Sequence, residues 1–183
     1  GTYDVVVTNS AGSVTSHPAL LAVVAPGADA FASRPALGGT SFSFTSSNAG
    51  ASKETGENNH AGNAGGASVW WTWTAPKTGV VTVSTIGSNF DTLLGVYTGT
   101  SVSALTLVAS DDNSGPTNTS NLTFNAVAGT TYQIGVDGSG GATGNITLNV
   151  GYAYAFTTLA GSAGISGSAD GTGSAARFFG PND

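Results

Sequence analysis

A chain of 183 residues can build one well-cored domain with smaller pieces attached. Only 8% of it is charged, and its four basic and ten acidic residues give a net charge of −6 with no basic cluster, which argues against nucleic acid and favours a divalent cation as partner. It has no cysteine, hence no disulfide or thiolate chemistry, and no apolar run approaches the ~20 residues of a membrane-crossing helix. Surface polarity must therefore come from Ser, Thr, Asn and Gly rather than from charge, as suits a secreted or cell-surface protein. The sequence opens inside a strand pattern, so it is expected to be a segment of a longer polypeptide.

Residues 1–24 read as a strand, a turn and a second strand, Gly1-Thr2-Tyr3-Asp4-Val5-Val6-Val7-Thr8 and Gly12-Ser13-Val14-Thr15-Ser16. They resemble the last two strands of an immunoglobulin-like domain, with Tyr3 at the tyrosine corner and Val5 at the place of the usual second cysteine. A lone two-stranded hairpin is marginal in water. These strands are expected either to find a sheet, within the chain or on another copy, or to be a frayed remnant at a boundary. Tyr3, Val5 and Val7 are the candidate assembly residues.

Ala25-Pro26-Gly27 marks a linker, and residues 25–151 form the next unit. Ser41-Phe42-Ser43-Phe44-Thr45 alternates as a strand. A long polar loop from Ser46 to Gly66 follows, and loops of that length are functional or mobile. Ser68–Tyr97 holds every tryptophan. Val69, Trp71 and Trp73 fall on one strand face, and Trp70 and Thr72 on the other. Pro76 ends that strand. Strands at 80–85 and 93–97 are expected to complete an antiparallel meander with it. Further strands fall at 105–110, 121–126, 132–137 and 144–150, making eight from Phe42 to Val150 with no helical period between them. This pattern predicts an all-β fold, a two-sheet antiparallel sandwich of jelly-roll type.

Several motifs then converge: Asp29-Ala30-Phe31, Gly56-Glu57 with His60-Ala61-Gly62, Ser68-Val69-Trp70-Trp71-Thr72-Trp73-Thr74-Ala75-Pro76, Phe90-Asp91-Thr92-Leu93-Leu94, Val96-Tyr97-Thr98-Gly99, Asp111-Asp112, and Ala128-Gly129-Thr130-Thr131-Tyr132 with Val136-Asp137-Gly138. Residues 29–150, about two thirds of the chain, are in these respects similar to bacterial pre-peptidase C-terminal domains. The resemblance implies a non-catalytic jelly-roll-like sandwich that accompanies other extracellular modules, related to collagen-binding domains and in some relatives calcium-binding. Residues 152–183 are Gly- and Ser-rich. Phe156-Thr157-Thr158-Leu159-Ala160-Gly161 and Asp170-Gly171-Thr172-Gly173 resemble the lead-in to an NHL-type β-propeller. This tail has too few apolar anchors for a core of its own and is expected to dock through Tyr152, Tyr154, Phe156, Leu159, Phe178 and Phe179.

Asp111, Asp112 and Asn113 at one strand end and Asp91 at the head of another could supply oxygens to calcium, or simply serve turn chemistry. Glu54 and Glu57, the only glutamates, share the long loop with His60. A second calcium site, a ligand-contacting loop and a solvated loop all remain open for them. Zinc has little support, because His60 has no histidine partner but His17, in another module. Trp70 could be a sugar-stacking platform or could pack under a covering loop. Neither Gly-x-Ser-x-Gly nor His-Glu-x-x-His occurs, so no enzyme activity is expected. The expected function is a structural, self-associating module whose partners are other copies or neighbouring modules. The alternative is an accessory domain for polysaccharide or collagen-like peptide.

Overall fold

The structure is a computed structural model that describes residues 2–10, 12–16, 19–20, 27–153, 167 and 175. The chain divides into two units, 1–153 and 154–183. The propeller-like lead-in, apart from Tyr152 and Ala153, falls almost wholly outside the described residues, as do His17 and residues 21–24.

Near the N-terminus, β1 (Thr2–Tyr3) pairs with β4 (Ala19–Leu20), and β2 (Val6–Asn9) pairs with β3 (Gly12–Thr15), all antiparallel. Among the described residues neither ladder joins a larger sheet.

The larger body begins with β5 (Ala36–Leu37) and continues through eight strands: β6 (Ser41–Ser47), β7 (Val69–Thr74), β8 (Gly79–Ser84), β9 (Thr92–Thr98), β10 (Thr106–Asp111), β11 (Asn121–Ala126), β12 (Thr131–Gly138) and β13 (Asn145–Tyr152). One sheet has the order β10-β9-β12-β7-β5 and the other β11-β8-β13-β6. All pairings are antiparallel except β5 with β7. The fold is the predicted two-sheet sandwich, and the alternation of successive strands between sheets is that of a jelly roll.

The expected meander at Ser68–Tyr97 is not found. β7 and β9 lie in one sheet, separated by β12, while β8 lies in the other. Val69, Trp71 and Trp73 on β7 and Val81 and Val83 on β8 are all buried in one common core, a pattern that strands side by side or face to face satisfy equally; β8 takes its ladder from β11 and β13 in the other sheet. Pro76, which cannot donate to a ladder, stands where the chain arches over. The turn at 128–131 is likewise an arch between sheets, with Ala75 N–H donating to Thr130 O and Gly129 N–H to Ala75 O.

The inter-sheet core combines Trp71, Trp73, Ile134 and Val136 of one sheet with Val81, Val83, Phe124, Ile146 and Leu148 of the other. Trp73 donates its indole N–H to Gly39 O at 3.1 Å. Tyr152 ends β13, packs near Trp73 with ring centroids 6.0 Å apart and donates its hydroxyl to Lys77 O, so this one aromatic of the tail belongs to the sandwich.

Candidate functional site

The alternation that buries Trp71 sends Trp70 to the other face of the five-stranded sheet. Tyr97, Gln133, Gly135 and Asp137 share that face by the same parity, through the pairs Trp70–Gly135 and Gln133–Tyr97. In an ordinary sandwich this face would meet water. Here the loop between β6 and β7 and the segment around Phe31 cover it. Ala28 bridges Trp70 through N–H···O bonds of 2.9 and 3.2 Å. Phe31 stands edge-on to Trp70, with centroids 5.2 Å apart at 86°. Arg34 holds this cover down: its guanidinium lies 3.7 Å from the Phe31 ring centroid and its Nε donates to Gln133 Oε1 at 2.6 Å.

Trp70 is consequently 0% exposed, as the covering-loop alternative has it and not as a sugar-stacking platform would be. Its indole N–H has no hydrogen-bond partner, so the ring is held by packing against Phe31, His60 and Tyr97.

His60 is the centre of a polar cluster under the loop. Its Nε2 lies 2.9 Å from Glu57 Oε1 and its Nδ1 lies 2.7 Å from the Tyr97 hydroxyl. With Nε2–H donated to the carboxylate, Nδ1 accepts the Tyr97 proton, and both ring nitrogens are satisfied. Glu57 Oε2 accepts the Glu54 N–H at 2.9 Å, and Glu54 Oε2 accepts the Phe31 N–H at 2.7 Å. Burial pushes the Glu57 carboxyl up, but hydrogen bonds from His60, Ser68 and the Glu54 N–H outweigh it and hold the group below the usual carboxylate range. Burial, reinforced by the charges of Glu57 and Asp137, pushes the Tyr97 hydroxyl well above its ordinary value. The solvated-loop reading therefore fails for Glu57, which is 8% exposed, and for His60, at 0%.

Asp137 was not singled out from the sequence, yet it anchors the same loop. Its Oδ1 accepts N–H groups from Ala67 and Gly138 at 2.7 Å, and Gly66 N–H lies 3.0 Å from both oxygens. Gly65 makes this approach possible: its φ is +58°, and a Cβ there would overlap the Asp137 carboxylate. Glu57, His60 and Asp137 each place one ligand-type atom within 4.8 Å of the others. Hydrogen bonds already engage all three groups, so the arrangement works as a staple that ties the loop to β9 and β12. The sequence signal that could have found Asp137 is its place in a strand of otherwise apolar and glycine residues, Ile134-Gly135-Val136-Asp137-Gly138.

The second acidic group lies where β10 and β11 approach each other. Asp111 is fully engaged: Oδ1 accepts the Ser114 hydroxyl at 2.6 Å, and Oδ2 accepts the N–H groups of Ser114 and Asn121 at 3.0 and 2.8 Å. Burial pushes its carboxyl up, but these bonds prevail and hold it low. Asp112 is different. Burial, then the neighbouring charges of Asp91 and Asp111, push its carboxyl up. Asp112 Oδ1 and Asp91 Oδ1 are both buried without a hydrogen-bond partner. Asn113 is exposed. The structure thus places Asp91 and Asp111 near enough to act on Asp112 but commits Asp111 to the turn.

Of the assembly residues, Val5 and Val7 are 64% and 66% exposed, and Tyr3 lies in β1, paired with Ala19. Compared with protein-family models and with curated proteins, the chain matches none.

Proposed function

We propose that the sandwich is a non-catalytic extracellular module of a larger secreted or surface protein, of the pre-peptidase C-terminal kind, and that copies associate through the N-terminal hairpin. The observation that carries this reading is the hairpin itself. Among the described residues the strands β2 and β3 are hydrogen-bonded as a ladder to each other and to no further strand, and Val5, Val6, Val7 and Val14 are 57–74% exposed. Two isolated strands do not hold a hydrophobic face in water, and an unpaired strand edge is a template for another chain. A non-catalytic role is supported by the His60 cluster, whose Glu57, His60 and Tyr97 side chains are buried and bonded to each other rather than presented to a substrate.

The same reading gives the Asp91–Asp112 end to calcium. Two buried carboxylate oxygens without donors, with the Asp112 carboxyl pushed up by burial and then by the charges of Asp91 and Asp111, suit a hard cation that takes carboxylate, carbonyl and water oxygens.

Light scattering after size exclusion, with electron microscopy, tests the association. The full chain is expected to form assemblies that grow with concentration. The chain lacking residues 1–24 is expected to be monomeric and folded. A full chain that stays monomeric at every concentration, with residues 1–24 cut readily by protease, refutes the reading.

A further inference from the structure

We infer that the acceptor for the hairpin is the outer edge of β6 on a second copy, so that its four-stranded sheet continues into the hairpin of the next molecule; this rests on the association proposed above.

The sandwich presents few edges to choose from. On one side β10 and β11 are guarded. β10 has a register shift between Leu107 and Ala109, and Asp111 reaches from β10 to the Asn121 N–H of β11. The core-facing Leu122 and Phe124 of β11 are already 6% and 8% exposed. Beside β7, the short β5 and Ala28 cover the edge. β6 has none of the usual defences. It runs seven residues, Ser41-Phe42-Ser43-Phe44-Thr45-Ser46-Ser47, without charge, proline, glycine or bulge, in unbroken register with β13. Among the described residues no backbone hydrogen bond leaves its outer side. Phe42 and Phe44 face the core but are only partly covered.

The hairpin matches this edge in pattern. The pairs Val7–Val14 and Val6–Thr15, with Ser16 N–H bonded to Val5 O at 2.9 Å, put Val5, Val7 and Val14 on one face and Val6, Thr8, Ser13 and Thr15 on the other. β6 has the same two faces: Phe42 and Phe44 inward, Ser41, Ser43, Thr45 and Ser47 outward and exposed. Laid beside β6, the hairpin's valines extend the phenylalanine layer while its hydroxyls extend the seryl face. A one-residue slip would reverse both. A second copy is the occupant because, among the described residues, β2 and β3 do not join β6 of their own chain, although Gly27, twelve residues beyond the end of β3 at Thr15, donates its N–H to Ser46 Oγ at 3.1 Å. Donor and acceptor are different surfaces, so the contact is heterologous and propagates as an open chain.

The absence of cysteine makes cross-linking a clean test in the full chain. Thr8→Cys protein mixed with Thr45→Cys or Ser43→Cys protein under mild oxidation is expected to give mixed disulfide dimers. Thr8→Cys mixed with Asn125→Cys, on the exposed face of β11, is expected to give only the background. Thr45→Lys, at an exposed position, should abolish assembly while leaving the thermal unfolding of the monomer unchanged. Assemblies that survive Thr45→Lys, or cross-link equally to Asn125→Cys, overturn the β6 assignment and leave hairpin-driven association standing. A wild-type chain that never associates overturns both.

Discussion

Two carboxylate clusters in this protein are built from the same kind of residue and reach opposite states. Under the β6–β7 loop, Asp137 gathers three backbone N–H groups and Glu57 is bonded by His60 and the Glu54 N–H. At the β10–β11 end, Asp111 is as well served, but Asp91 and Asp112 each keep a buried oxygen without a donor. Burying a charge is costly unless hydrogen bonds or an opposite charge compensate it. The first cluster has met that cost within the chain and is part of the fold. The second has not, which is why the proposed calcium is assigned there. The difference teaches that proximity of acids is a weak sign of a ligand site, whereas their unsatisfied oxygens are a stronger one.

The sharpest way to break this contrast is to unmake the complete cluster. Asp137→Ala strands the buried N–H groups of Gly66, Ala67 and Gly138 and frees the loop, and is expected to cost about 3–5 kcal/mol. Urea unfolding would measure it, and a loss under about 1 kcal/mol would show that the loop is held by packing alone. Gly135→Ala is the next largest. Its new methyl would stand 2.8 Å from Trp70 Cζ3 and 2.9 Å from His60 Cε1, overpacking that should cost about 1–3 kcal/mol. A neutral result would mean that the covering loop yields easily and that the face beneath it is more accessible than its burial implies.

These two residues also mark how far the sequence could be read. The eight sandwich strands from β6 to β13 were legible because apolar residues alternate along each, and Trp71 and Trp73 were rightly assigned to one strand face. The pairing of β7, β8 and β9 was not legible. Alternation states which side chains share a face, not whether the next strand lies beside it or across from it, and a short connection through Pro76 serves either. β5 was missed because two residues carry no period. Glu57 and His60 were visible as titratable residues in a long loop, but the bonded partner Tyr97 and the neighbouring Asp137 lie 37 or more positions from His60 and meet it only once β9 and β12 are neighbours. Trp70 read as a possible platform because nothing local announces that Phe31 will cover it.

Calcium distinguishes the clusters from the other side. Adding it to chelator-treated protein is expected to raise the melting temperature by about 2–4 °C, through Asp91 and Asp112. Asp112→Asn should abolish that response and, by removing one of the like charges, stabilise the calcium-free protein slightly. An unchanged melting temperature with and without chelator would leave the two orphaned oxygens to solvent.

The smallest expected effect is in pH, and its value lies in sign. Asp111 is held below its ordinary value in the folded state, so its contribution to stability is present above the unfolded carboxylate range, around pH 3.9, and is lost as pH falls through the lower folded value. Asp112 is held above its ordinary value, so its ionisation costs stability at neutral pH, and that cost is relieved as pH falls through the raised value. Calcium-free Asp111→Asn and Asp112→Asn proteins should therefore depart from the wild type in opposite directions at neutral pH, the first less stable and the second more. Both differences should shrink on acidification, that of Asp112→Asn first. If instead the two variants lose stability alike, Asp112 is another brace for its turn, and the contrast between a completed and an uncompleted cluster no longer holds.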